Sequence, residues 1–244
     1  MSRAYLIFGA YGGIGSSLAR TLAEQGDRVV LSGRDPDELQ DLATELDAPA
    51  IPADATDLEE VQEAVSGALD ELQGLDGVAS CVGSLLLKPA HLTRPQEWMD
   101  TVHTNLTSAF AVVRASAKPL MDRGGGSVVL VSTAAAKIGL PNHDAIAAAK
   151  GGVDALVRSA AATYGSSGLR INAVAPGLVE TPLTKRITEN EKARSASEAM
   201  HALGRLGTPA EVTEVMAWLL SERASWITGQ VLGVDGGLSR VRSA

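Results

Sequence analysis

Tyr5-Leu6-Ile7-Phe8-Gly9-Ala10-Tyr11-Gly12-Gly13-Ile14-Gly15 is the stretch on which the reading of this chain turns. Four apolar residues run without alternation into a glycine-rich turn, and Ile14, Leu18 and Leu22 then recur four apart. The pattern is a buried strand, a tight turn and the apolar face of a helix. Glycine has no Cβ and tolerates positive φ, so backbone in such a turn can approach a ligand closely. The helix N-terminus behind it offers free N–H groups and the positive end of the helix dipole, which suit a phosphate. The spacing is Gly9-x-x-x-Gly13-x-Gly15, not the G-x-G-x-x-G of the common dinucleotide fingerprint. Glycines also fill strand-to-helix turns that bind nothing, so the phosphate reading depends on the rest of the chain.

Downstream the same alternation repeats. Gly26 is a C′ stop for the first helix. Residues 28–32 form a second buried strand, and Asp35-Pro36 cap a helix carrying Leu39, Leu42 and Leu46. A short third strand, 50–53, ends at Asp54. Thr56-Asp57-Leu58-Glu59 fits a capping box for a helix through Leu72. The fourth strand, 77–82, ends at Gly83. Thr93-Arg94-Pro95-Gln96 starts a helix that holds Trp98, Val102, Asn105, Ala109 and Val113. The fifth strand, 127–131, ends at Ser132-Thr133, before a small-residue helix over 145–164. The sixth, 169–174, ends at Pro176-Gly177. A capped helix then runs from Thr208 to Leu220, and a seventh strand spans 229–234.

Strand and helix alternate six times without repeat or linker. This predicts one doubly wound (Rossmann) α/β domain over 1–244, a parallel seven-stranded sheet with helices on both faces. Residues 180–203 are polar and are expected to form a mobile lid over the substrate. In such sheets ligands bind at the carboxyl ends of the strands. Gly9, Arg34, Asp54, Gly83, Thr133 and Pro176 all fall there.

The bulk composition removes other classes. Net charge is −8 and no basic cluster occurs, which argues against nucleic acid or an anionic membrane as partner. No apolar run approaches the ~18 residues of a membrane span. The single cysteine, Cys81, has no internal partner, and the four histidines are scattered, so no metal site is expected. With no signal peptide pattern, a cytoplasmic protein is expected.

The chain resembles the short-chain dehydrogenase/reductase family, and in particular its 3-oxoacyl-acyl-carrier-protein reductases. The resemblance is carried by Gly9-x-x-x-Gly13-x-Gly15, Asp54-Ala55, Asn105, Lys150, Pro176 to Thr181, the run Gly204-Arg205-Leu206-Gly207-Thr208-Pro209-Ala210-Glu211-Val212, and Ile227 to Gly237. It implies a nicotinamide cofactor, hydride transfer to or from a carbonyl or alcohol carbon, and a homotetramer. By resemblance, Gly9, Tyr11, Gly13, Ile14 and Gly15 wrap the pyrophosphate, and Asp54 and Ala55 meet the adenine. Gly83 lies on the adenosine ribose and Lys150 on the nicotinamide ribose. Pro176, Gly177, Val179 and Thr181 hold the nicotinamide. Asp54 also reads as a simple turn cap. Gly33 and Arg34 stand where a carboxylate would bind a ribose 2′-hydroxyl, and a guanidinium there suits a 2′-phosphate. NADP(H) is therefore expected over NAD(H).

The departure is in the chemistry. The family's catalytic set is Asn, Ser, Tyr and Lys, with Tyr as general acid four residues before Lys. Here Asn105, a hydroxyl at Thr133 with Ser132 beside it, and Lys150 are present, but Ile146 occupies the Tyr position. Phe8 and Cys81 replace further polar residues of the family pattern. His143 and Asp144 are the titratable groups nearest Ile146; a His-Asp pair in a loop is more often solvated surface. Two functions remain: an NADP(H)-dependent oxidoreductase with an atypical proton source, acting on a carbonyl, an alcohol or an activated double bond; or a catalytically impaired cofactor-binding protein, a sensor or the partner subunit of an active homologue.

Overall fold

The computed structural model describes residues 2–241. Seven strands, β1 (Ala4–Phe8), β2 (Arg28–Gly33), β3 (Ala50–Pro52), β4 (Gly77–Ser80), β5 (Gly126–Val131), β6 (Leu169–Pro176) and β7 (Val231–Val234), form one sheet in the order β3-β2-β1-β4-β5-β6-β7. Every pairing is parallel. The helices between them are α1 (Gly13–Glu24), α2 (Pro36–Leu46), α3 (Leu58–Leu72), α4 (Pro95–Val102), α5 (Ser108–Asp122), α6 (Asp144–Tyr164), α7 (Lys185–Thr188), α8 (Glu191–Met200) and α9 (Pro209–Leu220).

The unalternating apolar strands are explained by cover on both faces. Successive side chains point to opposite sides of a strand. In β1, Ala4, Leu6 and Phe8 enter a core shared with α3, α5 and α6. Tyr5 and Ile7 enter another, shared with α1, α2 and α9. In β5, Val128 and Leu130 divide from Val129 in the same way. Leu6, Ile7, Leu31 and Leu130 are fully buried, each worth about 2 kcal/mol over exposure. The central strands are thus fixed, and their carboxyl ends present the loops at one rim.

Local signals act as read in most places. Asp35 accepts N–H bonds from Asp37 and Glu38, with Pro36 at the first helical position. Gly26 takes φ +80 just past α1. Some details differ from the sequence reading, among them shifts of strand ends by one or two residues. Asp57, not Thr56, caps α3, because Thr56 donates its amide and hydroxyl to Asp54. The last strand begins at Val231 rather than 229, since Gly229 turns the chain at φ +70. The helix through Asn105 is interrupted: residues His103–Thr107 form a wide π turn between α4 and α5. Such turns concentrate at functional sites.

Candidate cofactor and active site

The glycine turn is shaped by contacts that admit no side chain. Gly9 holds φ +70, and a Cβ on Gly15 would fall 2.1 Å from the Gly9 carbonyl oxygen. Gly12 stands at the N-cap of α1 and supplies no capping side chain, and the first turn has no acidic residue. The orphan N–H groups of this helix are therefore left for a ligand, and their dipole is not offset by a carboxylate. These features fit the pyrophosphate of a dinucleotide. Thr181 closes the turn from the other side: a Cβ on Gly13 would lie 2.8 Å from the Thr181 Cβ and Cγ2.

A second recess of about 190 Å³ opens beside the turn, lined by Tyr11, Gly33, Arg34, Asp54, Ala55 and Gly83 among others. The Tyr11 ring lies against the end of β2, where a Cβ on Gly33 would meet it at 2.5 Å. Asp54 Oδ1 accepts the Thr56 amide and hydroxyl at 2.8 Å each. Burial opposes its ionisation, but the Thr56 bonds and the nearby Arg34 hold its carboxyl below the usual range. The turn-cap reading of Asp54 is thus realised, on a residue that also faces the recess. Arg34 is mostly exposed, with Nη1 3.9 Å from Asp54 Oδ2.

The main cavity, about 300 Å³, lies at the ends of β4, β5 and β6. It brings together Asn105, Thr133, Ile146 and Lys150, with Ser132 and His143 also on its wall. Lys150 is buried; its Nζ donates to Val131 O at 2.7 Å and to Val82 O at 3.4 Å. Burial pushes its ammonium down to about 8, with the charges of Cys81 and Asp154 opposing. Burial pushes the Cys81 thiol up to about 12, with Lys150 opposing. Cys81 is therefore an unreactive thiol at neutral pH.

Asn105 Nδ2 donates to Thr101 O and to Ser84 Oγ, both at 2.9 Å, and its Oδ1 accepts the Ser84 amide at 3.1 Å. A Cβ on Gly83 would stand 3.1 Å from Asn105 Oδ1 and 3.5 Å from Lys150 Nζ, so the two groups converge on that glycine. Thr133 Oγ1 caps a short 3₁₀ turn by accepting the Ala135 amide at 3.3 Å, which leaves its proton available. Its neighbour does something else: Ser132 Oγ donates to Asp154 Oδ1 at 2.5 Å. Ile146 is buried one helical turn before Lys150. Pro176, Gly177, Val179 and Thr181 form the opposite wall with Leu183, Ile187 and Met200 from the polar segment. That segment contributes apolar residues inward while its charges pair outward, Arg194 with Glu180 at 2.5 Å and with Glu198 at 2.9 Å.

One wall residue was not singled out from the sequence. His201 is buried. Its Nδ1 lies 2.6 Å from Ser197 O and its Nε2 accepts the Leu178 amide at 3.2 Å, so it ties the end of α8 to the loop after β6. Its only sequence signal is a lone histidine where the polar stretch meets Ala202-Leu203.

A doubly wound sheet with an uncapped helix behind its first strand, and a lysine and an asparagine converging beyond its fourth, defines a dinucleotide-dependent oxidoreductase scaffold. A family model described as enoyl-(acyl carrier protein) reductase matches residues 9–239, and the chain belongs to the short-chain dehydrogenase/reductase family. Members of this family bind a nicotinamide cofactor. The chain is 36% identical over 245 residues to a cis-4-hydroxycyclohexanecarboxylate dehydrogenase of Sinomonas cyclohexanicum, spanning 98% of this chain and 97% of that protein. A short-chain type dehydrogenase/reductase from Mycobacterium ulcerans superposes with a TM-score of 0.95 at 33% identity, over 100% of this chain and 93% of that one. An actinorhodin polyketide ketoreductase solved with NADPH gives a TM-score of 0.93 at 28% identity, over 98% of each chain. Among the described residues no helix is long and apolar enough to cross a membrane, and no cluster of His, Cys, Asp or Glu could hold a metal ion.

Proposed function

We propose that this protein is an NADP(H)-dependent oxidoreductase whose active site lacks the tyrosine general acid of its family. It transfers a hydride to or from a carbonyl or alcohol carbon, or an activated double bond, in an apolar substrate. The observation that carries this reading is the wall of the main cavity, where Lys150, Asn105 and Thr133 meet and Ile146 fills the place one turn before Lys150. The bound nicotinamide supplies the hydride. Gly9, Tyr11, Gly13, Ile14 and Gly15 take its pyrophosphate, Asp54, Ala55 and Gly83 the adenosine, Lys150 the nicotinamide ribose, and Pro176, Gly177, Val179 and Thr181 the ring. The preference for NADP(H) rests on Arg34 and on the absence of a carboxylate at Gly33; the Asp54 carboxylate beside Arg34 keeps it moderate.

The Thr133 hydroxyl, with its own proton uncommitted, bonds the substrate oxygen, and the Lys150 ammonium lends positive potential. Neither is a good acid placed on that oxygen. A placed general acid is worth about 10²–10⁴ in rate, roughly 3–5 kcal/mol of barrier. Weak turnover of simple ketones follows. An alicyclic alcohol or ketone, as in the name of the Sinomonas relative, fits a cavity walled by Leu85, Leu140, Leu183 and Met200. The chain forms one domain, 1–244, acts in the cytoplasm as a homotetramer, and moves residues 180–203 as a lid.

The absence of a phenol at Ile146 also favours a second reading, a catalytically impaired cofactor-binding protein that serves as a sensor or as a partner of an active homologue. Fluorescence titration with NADPH and with NADH, followed by hydride transfer on a panel of alicyclic ketones and alcohols, separates the two. Binding without transfer on any member refutes the enzyme. Tighter NADH than NADPH binding refutes the cofactor preference.

A further inference from the structure

We propose that His143 Nε2 gives and takes the proton in this cavity, for a substrate oxygen seated toward the N-terminal end of α6. This rests on the hydride-transfer reading above. Most polar atoms on the wall are already committed. Ser132 donates to Asp154. The Asn105 amide is held by Thr101 and Ser84. Both His201 nitrogens have partners, at Ser197 O and the Leu178 amide. Lys150 Nζ is bonded to two carbonyls. Thr133 keeps a proton but is a hydroxyl, a poor acid near neutrality.

His143 differs. It lines the same cavity, three residues before Ile146, at the N-cap of α6. Its Nδ1 lies 2.7 Å from Pro141 O. A carbonyl only accepts, so Nδ1 carries a proton. That fixes the tautomer and leaves Nε2 as the exchangeable site, with no hydrogen-bond partner among the described residues. The position is imposed by the backbone. Asn142 sits at φ +64, an unusual conformation for a non-glycine residue, and its carbonyl accepts the Lys88 amide at 2.7 Å. His143 itself lies at φ −102, ψ 13, a sparsely populated region in which many active-site residues sit.

In the reducing direction the carbonyl carbon accepts a hydride from the nicotinamide. The C=O π pair moves to oxygen, and the imidazolium Nε2–H bond breaks to give the O–H bond. Neutral imidazole remains, with Nδ1–H still on Pro141, and takes its next proton from solvent. In the oxidising direction Nε2 removes the alcohol proton as the hydride leaves. The proton source is thereby displaced one helical turn from the place a tyrosine at 146 would occupy, so small ketones that do not reach that end gain little from it.

The test uses the full-length protein with NADPH and two probes, 1-decalone and 1,2-cyclohexanedione. Wild type, His143→Ala, His143→Gln and the double variant His143→Ala/Ile146→Tyr are compared, with NADPH affinity by fluorescence as the control for an intact fold. Wild-type turnover of a probe is expected, falling at least tenfold in His143→Ala and His143→Gln at unchanged NADPH affinity. Added imidazole should restore His143→Ala in a concentration-dependent way, and the double variant should regain at least tenfold. A loss under tenfold, or one that neither imidazole nor Tyr at 146 restores, overturns the proposal. NADPH binding with no wild-type turnover of either probe overturns it as well and supports the non-catalytic reading. Absence of NADPH binding overturns both this proposal and the function on which it rests.

Discussion

Replacing Lys150 with methionine should change how the stability of the apoprotein depends on pH. Lys150 is buried in the cavity wall with its Nζ against two carbonyls. Burial lowers its pKa from 10.5 to about 8, which corresponds to about 3 kcal/mol between the charged and neutral forms. At pH 7 the lysine is protonated in both the folded and the unfolded chain, so the folded chain carries the full cost of the buried charge. Between pH 8 and 10.5 the unfolded chain holds the proton and the folded chain sheds it. Stability rises with pH wherever the unfolded state binds more protons. From pH 7 to 9.5 the wild type should therefore gain about 2 kcal/mol relative to Lys150→Met. The remainder appears above pH 9.5. Other groups titrate in this window, but they are common to both proteins and cancel in the difference. Urea denaturation of both proteins at pH 7, 8, 9 and 9.5 measures it. A difference flat across that range would refute the claim that the ammonium is desolvated.

Ile146→Tyr should raise NADPH oxidation with an activated ketone at least tenfold, because Lys150 stands one helical turn along α6 from the new phenol and Thr133 lines the same cavity; equal or slower rates would show that the site is not arranged to use one. Arg34→Ala should weaken NADPH binding by about tenfold, the scale of one charge-assisted phosphate contact, and leave NADH within twofold, read by fluorescence titration. The assembly is expected to be tetrameric at micromolar concentration by light scattering, through α5 and α6 on one axis and β7 on another. Ser116→Ala should raise denaturation stability by about 1 kcal/mol, since the Ser116 hydroxyl is buried without a hydrogen-bond partner.

The sheet was legible because its signals are local and repeated. A strand with both faces covered needs an unbroken apolar run, and Leu6-Ile7-Phe8 or Val128-Val129-Leu130 is hard to read otherwise. Caps were legible where one side chain has one available task, as with Asp35. They failed where two neighbours compete: Asp54 draws Thr56 away from the helix end, and Asp57 takes its place. The π turn around Asn105 was invisible, since one extra residue per turn leaves the spacing of Val102, Ala109 and Val113 looking helical. In the cavity, Lys150, Thr133 and Asn105 were found through their order along the chain. His201 was missed, because its role depends on a contact with Leu178 across 23 residues. The different bonding of Ser132 and Thr133, adjacent hydroxyls at the end of one strand, likewise depends on the distant Asp154 and could not be read from the pair alone.

The wide turn at His103–Thr107 has a consequence for inheritance. Each residue of a helix advances the chain by about 100°, so removing one residue there would swing the whole of α5 by that angle relative to α4. Ala111, Val112 and Ala115, now sealed in the core, would be carried toward solvent. Asn105 would turn away from Ser84. No single substitution reproduces or removes that offset. Even where side chains other than Asn105 vary, the length of the segment is fixed, and an insertion or deletion anywhere in it would have to be answered by another within the same few residues. Length, beside the identity of Asn105, is the quantity that descent must preserve at this point of the chain.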